Sequence, residues 1–128
     1  MKTAKTIMIA DDDPAVEDVL SEMVEYGGFH TLAIDAPYLL EMQEKDLPDL
    51  ILLDVWMRGT DGREVCRILK SRELTRHIPI IIISASKGIQ HSALQAGADG
   101  FLEKPFEMVS LMEKIETCLA SAPSRDRV

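Results

Sequence analysis

The sequence predicts an α/β fold: a doubly wound, five-stranded parallel sheet with helices on both faces. Three observations lead there. Short apolar runs alternate with helix-period segments along the chain. Two of the runs are continuously aliphatic, as strands covered on both faces must be. Polar residues able to do chemistry follow four of the runs, where an open parallel sheet places its ligands.

The first run, Thr6 to Ala10, leads into Asp11-Asp12-Asp13-Pro14. Asp13 is a natural N-cap and Pro14 suits a first helical turn. Val16, Val19, Leu20, Met23 and Val24 then trace one apolar stripe, and Gly27-Gly28 ends the helix. The second run is Thr31 to Ile34, followed by a weaker helix near 37–45. The third, Asp49 to Asp54, precedes a helix from about Gly62 to Arg72 that buries Val65, Ile68 and Leu69. The fourth, Ile78 to Ser84, is followed by the poorest helical pattern, around 89–96. The fifth, Gly100 to Glu103, leads through Lys104-Pro105 into a helix whose one face carries Met108, Leu111, Met112, Ile115 and Leu119. Counting strands along the chain, the order 2-1-3-4-5 fits best, because it puts the most apolar runs in or near the middle. One domain is expected over 1–121, with a small, polar and frayed tail at 122–128.

Composition narrows the function. A formal net charge of -8, from 22 acidic and 14 basic residues, argues against a domain that grips nucleic acid or an anionic membrane by charge. It suits carboxylates gathered around a cation, and equally plain solubility. Cys66 and Cys118 sit among apolar helical neighbours and read as small buried hydrophobes, with no CxxC pair or His/Cys cluster for zinc. His30, His77 and His91 are scattered and read as surface or loop residues. No apolar run approaches the ~20 residues of a membrane span, and the first is too short for a signal peptide, so a cytoplasmic protein is expected.

The strand-end residues form a coherent chemical set. Carboxylates converging from Asp11, Asp12 and Asp54 would raise one another's pKa unless a cation joined them. Mg²⁺ takes oxygen ligands, keeps several waters and pairs with phosphate. One carboxylate could then attack phosphorus, while Ser84 and Lys104 stabilise charge on the phosphoryl oxygens.

Four stretches carry a resemblance. They are Ile-Met-Ile-Ala-Asp11-Asp12-Asp13-Pro14, Leu-Leu-Asp54-Val-Trp-Met-Arg-Gly-Thr-Asp61-Gly62, Ile-Ile-Ile-Ser84-Ala85 and Ala-Gly-Ala-Asp-Gly-Phe-Leu-Glu-Lys104-Pro105-Phe106. In this order, over nearly the whole chain, they resemble the motifs of response-regulator receiver domains. The resemblance implies a flavodoxin-like fold and a place in a two-component phosphorelay. Phosphoryl would pass from a sensor histidine kinase or phosphotransfer protein to Asp54. Asp12 matches a direct Mg²⁺ ligand, Asp11 a partner reaching the metal largely through water, and Trp56 a ligand through its backbone carbonyl. Ser84 matches the switch hydroxyl, Phe101 the switch aromatic and Lys104 the phosphoryl-binding cation. Taken alone, Phe101 serves equally well as core packing. The resemblance also implies a cis Lys104–Pro105 bond and a surface read by an output protein or domain. Phosphorylation would draw Ser84 towards Asp54 and let Phe101 turn inward, with the fourth helix changing most. Enzymatic work would be limited to the domain's own phosphorylation and dephosphorylation, with no direct binding to nucleic acid or membrane.

The chain departs from the family pattern in three places. Arg58 stands where the family commonly has proline, bringing a guanidinium near the site, and Trp56 is unusually bulky. The stretch from Ser84 to Lys104 is about two residues short, so the fourth helix is expected to be short, displaced or mobile. Other functions fit less well. A phosphatase of the haloacid dehalogenase kind needs Asp-x-Asp-x-Thr where this chain has Asp11-Asp12-Asp13-Pro14-Ala15. A flavodoxin needs a hydroxyl- and glycine-rich loop there, which three carboxylates would make hostile to a flavin phosphate. A degenerate, phosphate-independent receiver would not need Asp12, Asp54, Ser84 and Lys104.

Overall fold

A computed structural model of the chain describes residues 4–122. The strands are β1 (Thr6–Ala10), β2 (His30–Ala33), β3 (Leu50–Asp54), β4 (Trp56–Met57), β5 (Thr60–Asp61), β6 (Ile80–Ser84) and β7 (Gly100–Glu103). The helices are α1 (Pro14–Tyr26), α2 (Ala36–Leu39), α3 (Gly62–Ser71), α4 (Gln90–Gln95) and α5 (Met108–Ser121). Five strands form one parallel sheet in the order β2-β1-β3-β6-β7, with β4 and β5 as a separate antiparallel hairpin. In the sheet, β6 and β7 are the expected fourth and fifth strands, so the order read from the sequence holds. The frayed tail expected at 122–128 lies, from residue 123 on, outside the described residues.

The aliphatic strands β3 and β6 are buried at every position and lie side by side in the sheet interior. Their side chains alternate between two cores. Ile51, Leu53, Ile80 and Ile82 pack with residues of α2, α3 and α4, whereas Leu50, Leu52, Ile81 and Ile83 pack with residues of α1 and α5. The edge strand β2 is mostly exposed. Both cysteines are buried free thiols, and burial pushes the Cys66 thiol up to about 11. Among the described residues no helix is long and apolar enough to cross a membrane.

Two expectations need correction. The second helix is one turn, not the segment 37–45, because the Gln43 N–H that would extend it donates to Asp46 Oδ2 at 3.3 Å, opening a separate 3₁₀ turn at Glu44–Asp46. The fourth sheet strand starts at Ile80 rather than Ile78, because the Ile78 N–H closes a turn on the Thr75 carbonyl. The β4–β5 hairpin was not anticipated. It folds the chain back after Asp54 and delivers Asp61 as the N-cap of α3.

Candidate functional site

Strand register brings the candidate residues to one edge of the sheet. Ala10 pairs with Leu53, Asp54 with Ile83 and Ser84 with Glu103, so Asp11, Asp54, Ser84 and Lys104 all emerge at the carboxyl ends of neighbouring strands. The Lys104 N–H donates to the Ser84 carbonyl at 2.9 Å, fixing the last of these strand exits to its neighbour.

Lys104 Nζ lies 3.1 Å from Asp11 Oδ2 and 3.4 Å from Asp54 Oδ1. One ammonium therefore serves two carboxylates. Asp54 is only 8% exposed. Burial, and then the neighbouring Asp11 charge, hold its carboxyl above the usual carboxylate range, and Lys104 opposes that only in part. The second Asp11 oxygen, Oδ1, accepts the Asp13 N–H at 2.9 Å, and Asp13 Oδ1 in turn accepts the Ala15 N–H at 3.0 Å. Asp13 is thus the cap of α1, as its sequence position suggested.

Asp12 is exposed. Its Oδ2 accepts the backbone N–H of Arg58 in the loop after β4. Among the described residues no group of three or more His, Cys, Asp or Glu side chains closes on a common point. Lys104 thus bridges Asp11 and Asp54, while Asp12 contacts the neighbouring loop. This donor set still fits Mg²⁺, which keeps several waters and asks for one or two carboxylates rather than a closed protein cage. A buried carboxylate whose charge is resisted by burial and a second acid is the feature such a cation would relieve.

Ser84 is fully buried, and its Oγ accepts the Ser86 N–H at 3.0 Å. The hydroxyl proton remains free to donate. Trp56 is 53% exposed, and its Nε1–H donates to Ser86 Oγ at 2.7 Å. The Arg63 guanidinium lies over the indole, 4.9 Å from the ring centroid. Arg58 is exposed, and its backbone rather than its guanidinium makes the contact with the acid cluster. The Lys104–Pro105 peptide is cis. Phe101 is buried, with 9% of its surface exposed; it packs in the same core as Ala93 of α4 and also lines an open groove with His91 and Leu94.

Sequence reasoning gave no role to three residues around the site. Gly62 donates its N–H to the Val55 carbonyl at 2.7 Å, and a Cβ there would sit 2.1 Å from the Asp54 carbonyl oxygen. A side chain at 62 would push Asp54 itself. Arg63 pairs with Asp61 through two bonds, at 3.0 and 2.7 Å, and holds the Asp61 carboxyl below the usual range. Ser86 joins Trp56 to Ser84. The Asp61-Gly62 pair was visible in the sequence as part of a motif; nothing local marks Arg63 or Ser86.

A doubly wound sheet with an acid pair and a lysine at its carboxyl edge defines a phosphate-handling class of flavodoxin-like proteins. Residues 7–116 match the response regulator receiver domain, and the chain belongs to that family. It is a receiver domain of the response regulators of two-component systems. The chain is 42% identical over 115 residues to the response regulator PleD of Caulobacter vibrioides, covering 87% of this chain and 25% of PleD. It is 38% identical over 116 residues to the response regulator MprA of Mycobacterium leprae, covering 88% of this chain and 50% of MprA. The chain therefore spans a quarter to a half of the length of these relatives. Among solved structures it is similar to the receiver domain of the sensor histidine kinase PA1611 from Pseudomonas aeruginosa PAO1, with TM-score 0.84 and 26% identity, covering 93% of this chain and all of that one. That structure holds a magnesium ion coordinated in its active-site cleft.

Proposed function

We propose that Asp54 is the phosphoacceptor, taking a phosphoryl group from a phosphohistidine of a sensor histidine kinase or phosphotransfer protein. One observation carries this reading: Asp54 ends an interior strand as a nearly buried carboxylate beside a lysine that also faces Asp11. An Asp54 oxygen attacks phosphorus in line; the P–O bond forms as the P–N bond breaks, and the departing imidazole keeps the electron pair and takes up a proton. Lys104 and the free proton of the Ser84 hydroxyl meet the charge on the phosphoryl oxygens. Asp11, Asp12, Asp54 and the Trp56 backbone carbonyl would hold Mg²⁺. When bound, that ion would neutralise the acid cluster and the incoming phosphoryl charge.

On this reading the domain, spanning 1–121, is a cytoplasmic phosphoacceptor that acts on no substrate but its own aspartyl phosphate. Its output is a protein surface around α4, β7 and α5, read by a partner protein or an attached output domain. On phosphorylation Ser84 would move towards Asp54 and Phe101 would turn inward, with the Ser84–Gly88 loop and α4 changing most. Incubation with a small phosphodonor and Mg²⁺ should add one hydroxylamine-labile phosphoryl group to the wild type and none to Asp54→Asn. Labelling of Asp54→Asn at the wild-type level would overturn the assignment.

A further inference from the structure

We propose that Arg63 is a positioning residue that transmits the state of the Asp54 loop to α4. The inference rests on Asp54 being the phosphoacceptor and adds a route separate from Phe101. Arg63 touches every part that such a route requires. Its Nε and Nη2 grip both oxygens of Asp61, the cap of its own helix. Its guanidinium face lies on Trp56, two residues after Asp54. Its Nη1 reaches across to α4 and donates to Ser92 Oγ at 3.1 Å.

Both ends of this connection are tied to the chemistry. At one end, Gly62 packs its Cα against the Asp54 carbonyl, so any shift of the Asp54 backbone moves the start of α3 and Arg63 with it. At the other end, Ser86 donates its N–H to Ser84 Oγ and accepts the Trp56 Nε1–H on its own hydroxyl. When Ser84 moves towards a phosphoryl oxygen, Ser86 follows and the indole under the guanidinium is displaced. The two displacements meet at Arg63.

α4 is poised to respond. It has six residues, its N-cap Ile89 offers no side-chain hydrogen bond, and its first turn holds no acidic residue. The Ser92 hydroxyl donates to the Ile89 carbonyl at 3.0 Å, leaving its lone pair for Arg63. A charge-assisted hydrogen bond from a rigid fork is a large contribution to so short a helix.

The test compares amide exchange in residues 88–97 with and without beryllofluoride and Mg²⁺, in wild type, Arg63→Ala, Arg63→Lys and Ser92→Ala. Phosphoryl incorporation from a small donor is measured in parallel. Wild-type exchange in α4 should change roughly tenfold on beryllofluoride, the opening factor of one charge-assisted hydrogen bond at the low end of its range. In Arg63→Ala and Ser92→Ala the change should fall below about twofold while phosphoryl incorporation stays at the wild-type level. Arg63→Lys, which keeps the charge and loses the fork, covers the case in which the alanine variant fails to fold, and should also fall short of wild type. An α4 response of wild-type size in the folded Arg63 variants, or in Ser92→Ala, would overturn the proposal. Loss of phosphoryl incorporation in wild type would instead overturn the phosphoacceptor reading, and the two failures are thereby distinguishable.

Discussion

α1 and α4 both begin just after strand-end residues of the site, yet they are built differently. α1 runs for 13 residues from a side-chain cap at Asp13, with proline in its first turn, Glu17 aligned with the helix dipole, and Leu20 and Val24 in the core. α4 runs for six residues with no side-chain cap and buries one alanine, Ala93. The helix that follows the acid pair is held firmly by its own sequence. The helix that follows Ser84 depends on what reaches it from outside. A receiver needs this asymmetry: the groups that accept phosphoryl must be preset, whereas the surface that reports it must have somewhere to go.

The largest effect that would sharpen the contrast is expected on the preset side. Gly62→Ala places a Cβ 2.1 Å from the Asp54 carbonyl oxygen and 3.0 Å from Val55 Cα, against backbone that is itself part of the sheet and its exit. Neither neighbour can move without disturbing β3, so a loss of about 3 kcal/mol is expected, at the upper end for overpacking. Urea unfolding should show it as a lower midpoint at unchanged m. A wild-type midpoint would mean that the Asp54 loop is pliable and the contrast with α4 is false.

What could be read from sequence follows the same line. β3 and β6 announced themselves as uninterrupted aliphatic runs, and Asp13-Pro14 marked the start of α1, because these signals are local and the structure uses them locally. Asp11, Asp54, Ser84 and Lys104 were legible as a set because parallel strands deliver their last residues to one edge whatever the details of packing. Asp12 was read with them, and one of its oxygens accepts a backbone N–H from the loop after β4, a contact no local signal shows. The second helix was overextended because Asp46 captures the Gln43 N–H, a side-chain competition that no hydrophobic period reveals. Arg63, Ser86 and Ser92 are ordinary polar residues in sequence. They meet across gaps of 29 and 30 residues, so only the fold makes them a connection.

A smaller effect concerns charge on the preset side. Because burial and Asp11 raise the folded-state pKa of Asp54, the folded protein holds that proton more tightly than the unfolded chain does. Stability linked to it is thus fully present below the unfolded pKa and is lost as pH rises through the folded one. In Mg²⁺-free buffer at neutral pH, Asp54→Asn should therefore melt above the wild type. The difference should vanish on acidification through the Asp54 titration, and added Mg²⁺ should stabilise the wild type but not the variant. Equal melting at neutral pH without Mg²⁺ would show that Lys104 neutralises the site unaided.

The smallest effect on global stability should come from α4, and two glycines offer a matched pair to detect it. Gly28, after α1, has φ of 95°, and Gly88, before α4, has φ of 79°. A Cβ at either would meet nothing within 4 Å, so the cost of alanine is the left-handed backbone alone, about 1–2 kcal/mol at each site. Where that cost is felt depends on what unfolds with the residue. Gly28 closes α1, whose core residues pack on the central sheet, so Gly28→Ala should lower the global melting temperature. Gly88 precedes a six-residue helix with no side-chain cap and one buried residue, so Gly88→Ala should speed amide exchange in residues 88–97 while shifting global melting much less. Equal shifts in melting from the two substitutions would mean that α4 unfolds only with the sheet. The response would then have to lie in side chains such as Trp56 and Arg63 rather than in the helix itself.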